Sequence, residues 1–190
     1  MRENIICVLF FVLWVTPQIG LSQSFAEDTQ YSVCFTPGQN CTGEIIDALN
    51  TAKHSIYVQA YSFTSQPIAN ALIAAKKRGV DVKVILDKSQ YKAEKYSASK
   101  FLEHQDVPVW IDSKPAIAHN KIMIIDQATV ITGSFNFTKA AQEKNAENLI
   151  IIRNTALAEQ YLNNWELRQK ESFTLNDYHP RSRKVDNNFF

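Results

Sequence analysis

The chain has 190 residues, 45% of them hydrophobic and 21% charged, with a formal net charge of +1. That length suits one domain with a real core rather than two. The near-neutral balance excludes a strongly basic nucleic-acid coat protein, which needs clustered Lys and Arg, but it leaves room for an enzyme that grips a few phosphates locally.

The N-terminus reads as separate from the fold. Arg2 precedes an apolar run from Ile5 to Val15, followed by Pro17 and Gly20. The run is shorter than the ~20 residues needed to span a bilayer. With small residues between Ser22 and Ala26, it is expected to be a secretory signal over residues 1–26, cleaved near 22–26. An uncleaved membrane anchor is the alternative; no later apolar stretch is long enough to span. The mature protein is therefore expected in the periplasm or outside the cell. Cys7 leaves with the signal. Cys34 and Cys41 flank Pro37-Gly38-Gln39-Asn40 and are expected to form a disulfide in an oxidising compartment, two free thiols being the other reading. They do not make a zinc site, because no second Cys pair or His cluster completes four ligands.

Residues 27–40 read as a lead-in segment, with the domain expected over 27–172 and a polar, loosely ordered tail over 173–190. Thr42-Gly43-Glu44 opens a helix with Ile45, Ile46, Leu49 and Ala52 on one face. Ser55–Tyr61 is a predicted strand. Ser65-Gln66-Pro67 starts a second helix, and Gly79 ends it after Lys76-Lys77-Arg78, whose charges suit a helix C-terminus. Val80–Leu86 alternates as a strand, Ala93–His104 is predicted helical, and Val107–Ile111 is a short strand. Lys121–Asp126 has a continuous apolar middle, Ile122-Met123-Ile124-Ile125, which predicts a central strand buried on both faces. Thr129–Thr132 and Leu149–Ile152 follow as strands. Ala156–Lys170 is the last helix, with Leu157, Tyr161, Leu162 and Trp165 at helical spacing. The alternation predicts an α/β fold: one domain, with a mixed, largely parallel sheet flanked by helices on both faces.

The chemistry concentrates in two segments, Ala118-His119-Asn120-Lys121 and Gly133-Ser134-Phe135-Asn136. His119 and Lys121 are two apart on an extended chain and share a face, as do Ser134 and Asn136. If the strands pair across a turn near Gln127, both pairs converge at one end of the sheet, and Gly133 lets the backbone approach closely there. The set suits a phosphate ester. An imidazole can attack phosphorus, Lys supplies charge, and Asn and Ser supply neutral donors. Acidic residues with metal-ligand spacing are missing nearby, so neither a metal nor a cofactor is expected. Asp126 lies five residues from Lys121, hence on the opposite strand face, and reads as a structural turn residue.

His119-x-Lys121, four residues, Asp126, six residues and Gly133-Ser134-Phe135-Asn136 together resemble the phospholipase D superfamily. Within it the chain is most similar to the small exported bacterial endonucleases with one motif per chain. Tyr61-Ser62-Phe63-Thr64 and the run Ala75–Lys83 also look like those nucleases, and the resemblance covers roughly residues 32–170. It implies a two-step mechanism: one histidine attacks phosphorus to form a phosphohistidine, and a second protonates the leaving oxygen and then activates water. His54, His104 and His179 lack a following Lys and a Gly-Ser-x-Asn partner. The resemblance therefore implies a homodimer in which His119 of a second copy completes the site. It also implies that Glu147 orients a catalytic histidine, an ordinary surface position being the alternative. Ser134 has a bland reading too, since Ser after Gly often satisfies only backbone groups. Lys139 and Lys144 are candidates for guiding a polyanion.

The expected activity is a metal-independent phosphodiesterase, an endonuclease of low sequence preference acting on DNA or RNA. A phospholipase D releasing phospholipid headgroups is the main rival, and a non-catalytic nucleic-acid-binding module the distant one.

Overall fold

The computed structural model describes residues 24–91 and 97–179. Expectations for the apolar run Ile5–Val15, the signal cleavage and residues 180–190 lie outside these. Among the described residues no helix is long and apolar enough to cross a membrane.

Eight strands form one sheet in the order β1-β7-β6-β5-β2-β3-β4-β8. They are β1 (Gln30–Thr36), β2 (Ser55–Ala60), β3 (Asp81–Asp87), β4 (Val109–Asp112), β5 (Lys121–Ile125), β6 (Thr129–Gly133), β7 (Glu147–Arg153) and β8 (Phe173–Thr174). The helices are α1 (Cys41–Thr51), α2 (Gln66–Lys77), α3 (Ala98–Glu103), α4 (Lys139–Glu143) and α5 (Thr155–Lys170). The sheet is mixed, but the expected parallel weighting is corrected. Only β2–β3 and β3–β4 are parallel, and the other five pairings are antiparallel. Helical crossovers link β2, β3 and β4, whereas a three-residue turn joins β5 to β6, and so short a turn permits only antiparallel pairing.

Local chemistry explains the element ends. Asn40 caps α1 by accepting from the Gly43 N–H at 3.0 Å. Pro67 sits in the first turn of α2, and Gly79 follows its end at φ +90°. Asn154 caps α5 by accepting from the Leu157 N–H at 2.8 Å. Every residue of β5 is buried, as befits a strand covered on both faces. One face packs Ile56, Val58, Val84 and Met123 against Ile45, Leu72 and Leu102 of α1, α2 and α3. The other packs Ile122, Ile124 and Val130 against Ala158 and Trp165 of α5. Trp165 stacks on Tyr57 at 4.9 Å and donates to the Val58 carbonyl at 2.9 Å. Arg168 then grips the fully buried Asp112 carboxylate through two hydrogen bonds, 2.6 and 2.9 Å.

Three elements depart from the expectations. The lead-in segment contains β1, an edge strand that shows only Cys34 and Thr36 to the core while Tyr31, Val33 and Phe35 face outward. The short α4 follows the second motif segment. The start of the tail is folded: Phe173–Thr174 pairs with β4, and Leu175 is buried. Of the helix expected over 93–104, residues 98–103 are α3, and residues 92–96 lie outside the described set.

Sheet polarity places the site. Residue Ala60 at the end of β2 pairs with Lys121 at the start of β5. The ends of β3 and β4, the end of β6 at Gly133 and the start of β7 at Glu147 follow the same alternation. One rim of the sheet therefore gathers the motif residues other than Asp126, outside the carboxyl ends of the parallel strands, where open α/β sheets bind ligands.

Candidate active site

The segment before β5 is tied down at Ala118, whose N–H donates to the Asp87 carboxylate at 2.8 Å. Asp87 is buried at the end of β3 and also accepts from the Ser89 N–H. On the other side the Tyr61 N–H donates to the Asn120 carbonyl at 2.8 Å, and the Gln59 amide donates to the Asn120 side chain at 3.2 Å. His119, held between these anchors, is exposed. Lys121 is only 7% exposed. Its Nζ lies 3.2 and 3.3 Å from the two ring nitrogens of His119 and donates to the His119 carbonyl at 2.9 Å. The Tyr61 ring completes the cluster, 4.5 Å from the imidazole and 5.4 Å beneath the ammonium. Burial pushes the Lys121 pKa down, and the nearby Glu147 carboxylate opposes that shift. The result is a desolvated cation against a solvent-facing imidazole, an arrangement that can receive an anionic oxygen beside a nucleophile.

The second motif segment is built around Gly133. It has φ +139°, and a Cβ there would lie 2.3 Å from the Asn148 carbonyl oxygen, so only glycine fits. This close approach lets both Ser134 and Phe135 donate their N–H groups to that carbonyl. The Ser134 hydroxyl donates to Glu147 at 2.6 Å and accepts from the Asn148 N–H at 3.0 Å. Glu147 also accepts from the Asn145 amide at 2.9 Å. Ser134 thus positions Glu147, and no hydrogen bond joins Glu147 to His119 of the same chain. Asn136 lies between the buried Phe135 and Phe137, and its Oδ1 is buried without a hydrogen-bond partner.

Asp126 is at the opposite end of β5. Its carboxylate accepts from the backbone N–H groups of Lys53, His54 and Ser55 at 2.9, 2.7 and 2.9 Å. Burial raises its pKa, but the three N–H donors outweigh that, and the net shift is downward. With Asp126 and Gln127 both at positive φ, this carboxylate locks a tight turn to the start of β2. Cys34 and Cys41 form a disulfide that joins the end of β1 to the start of α1. Among the described residues no group of three or more His, Cys, Asp and Glu converges as metal ligands would.

Tyr61 and Asp87 are contributors that motif spacing alone does not single out. An acid at the carboxyl end of a parallel strand, such as Asp87, is nonetheless a position worth testing in any open α/β sheet.

Residues 45–167 match the family described as cardiolipin synthase, PLD-like domain. The chain belongs to the phospholipase D superfamily. It is a phosphodiesterase of that superfamily, and its relatives carry varied names. A Rickettsia typhi protein named phospholipase D is 51% identical over 73% of this chain and 67% of its own length. Human mitochondrial cardiolipin hydrolase is 30% identical over 83% of this chain and 64% of its own. Among solved structures, Nuc from Salmonella typhimurium, a phospholipase D family member, is 39% identical with a TM-score of 0.74, covering 80% of this chain and all of that one. NucT from Helicobacter pylori shares the fold at a TM-score of 0.71 and 23% identity.

Proposed function

We propose that the protein is an exported, metal-independent endonuclease that works as a homodimer. The observation that carries the chemistry is the Lys121 ammonium held against the exposed His119 imidazole. A ring nitrogen of His119 attacks phosphorus, forming an N–P bond as the P–O ester bond breaks. The leaving oxygen takes a proton from the imidazolium of the second copy's His119. That ring, now neutral, removes a proton from water, whose oxygen attacks phosphorus and breaks the N–P bond. Lys121 and the amide of Asn136 stabilise the non-bridging oxygens. Because Glu147 is held by Ser134 and does not reach its own His119, its carboxylate serves the imidazole of the other copy. The two rings titrate as a coupled pair, so a pH–rate profile describes both.

Nucleic acid is favoured by the match to Nuc over that chain's whole length, and Lys139 and Lys144 stand exposed just beyond the motif. Export is supported by the apolar run Ile5–Val15 and by the Cys34–Cys41 disulfide. Phospholipid hydrolysis is the second reading, favoured by the name of the Rickettsia relatives. The deciding assay sets plasmid cleavage in excess EDTA against headgroup release from phosphatidylcholine vesicles. Cleavage without headgroup release is expected, and the reverse result overturns the choice. DNA binding with no cleavage by the parent protein points instead to a non-catalytic module. A strictly monomeric preparation that turns over at full rate, or one that never carries an acid-labile phosphoryl group on His119, ends the two-copy mechanism.

A further inference from the structure

A groove of about 1120 Å³ opens beside the catalytic end, and the mechanism above leaves it unused. It exceeds the ~300–1,000 Å³ of ordinary small-molecule sites and suits a stretch of extended polymer. Tyr61 lines it, and the same ring packs on His119, so an occupant of the groove is continuous with the group under attack. The wall beyond Tyr61 carries Ile117, Phe173 and Tyr178. Ile117 and Phe173 are 56% and 51% exposed despite being apolar. The Phe173 and Tyr178 rings lie 6.3 Å apart, and Tyr91 braces Tyr178 edge-on at 4.9 Å. Aromatic rings interspersed with hydroxyls and lysines offer flat faces for bases, rather than the continuous aliphatic lining that an acyl chain fills.

The acids on the walls are already engaged. Asp87 accepts from two backbone N–H groups, Glu171 from Lys114 and Arg168, and Asp177 from the Thr174 hydroxyl. The Lys88 ammonium donates to the Pro115 carbonyl at 2.9 Å, and its other two N–H groups are open to a phosphate.

We infer that this groove holds unpaired nucleotides next to the scissile phosphate, their bases stacked on Phe173 and Tyr178 and a neighbouring phosphate on Lys88. The inference rests on the endonuclease reading. A duplex keeps its bases inside, so the groove makes the enzyme prefer single strands to duplex of the same sequence.

The test uses the full chain and three substrates: a labelled single-stranded oligonucleotide, its duplex, and bis(p-nitrophenyl) phosphate, a diester too small to span the groove. Phe173→Ala is expected to raise KM for the single strand at least about fivefold, the lower end of what loss of one stacked base produces. Turnover of the small diester stays unchanged, and Phe173→Trp restores KM. Ile117→Ala, in an exposed loop where folding is not at stake, shifts KM in the same direction. Lys88→Gln makes single-strand binding less salt-dependent. Unchanged single-strand KM in both Phe173→Ala and Ile117→Ala, in an enzyme that still cleaves DNA, overturns the inference and leaves the endonuclease reading intact. Equal rises for single strand and duplex overturn it as well. A parent protein that cleaves no nucleic acid but releases lipid headgroups removes both, and slower headgroup release by Phe173→Ala then assigns the groove to lipid.

Discussion

The two ends of β5 are both charged, and they are built on opposite terms. At Asp126 three backbone N–H groups satisfy one carboxylate, and its pKa falls. At Lys121 a buried ammonium has only neutral hydrogen-bond partners, the imidazole and a carbonyl, and burial lowers its pKa against the opposing pull of the Glu147 carboxylate, which for a cation means that the charged form is disfavoured. The same direction of shift stabilises one end and strains the other. A short strand, fully buried, thus separates a charge that holds the fold from a charge that we propose meets a phosphate.

Substitutions sharpen that contrast. The largest effect is expected from His119→Ala, which removes the proposed nucleophile and lowers kcat by about 10⁴-fold or more without unfolding the chain, checked by single-turnover assay and circular dichroism. Next comes Lys121→Met, with kcat down by about 10²- to 10³-fold, the range for removing one preorganised transition-state donor. Its melting temperature should not fall. The folded pKa of Lys121 lies below its unfolded value of 10.5, so charge there opposes folding at neutral pH, and the opposition fades as pH rises through the folded pKa. A clear loss of stability in Lys121→Met contradicts the idea of a strained end.

Gly133→Ala forces a Cβ onto the Asn148 carbonyl and should destabilise by about 2–4 kcal/mol in denaturant titration, disturbing Ser134 and Glu147 with it. The smallest effect belongs to Asp126→Asn. It should lower stability by about 1–3 kcal/mol at neutral pH, because an amide cannot accept from all three N–H groups, while kcat per folded molecule stays within about twofold. The depressed Asp126 pKa gives the sign of the pH dependence. Its contribution is complete above the unfolded value of 3.8 and is lost as pH falls through the folded pKa, so parent and variant converge in acid. An Asp126→Asn variant that is folded yet inactive breaks the comparison outright.

Much of this rim was legible because it is local. A two-residue spacing on an extended chain puts His119 and Lys121 side by side, and Gly133 marks a close backbone approach. The apolar run of β5 announced a strand covered on both faces. What sequence left hidden depends on distant packing. The contact of Tyr61 with His119 and the anchoring of Ala118 by Asp87 exist only once β2, β3 and β5 are side by side. Phe173 and Tyr178 sit in a polar stretch without periodicity, so nothing local marks them as part of a wall. The parallel weighting failed for a related reason: alternating elements describe β2 to β4 but not the antiparallel strands that follow.

The polarity of the sheet also has a practical use. Lys53 and Lys77 are exposed near the rim opposite His119, just before β2 and β3 begin. A linker attached there presents the working surface outward from a bead or a fusion partner, so immobilised enzyme should keep access to long substrates that a randomly coupled sample blocks.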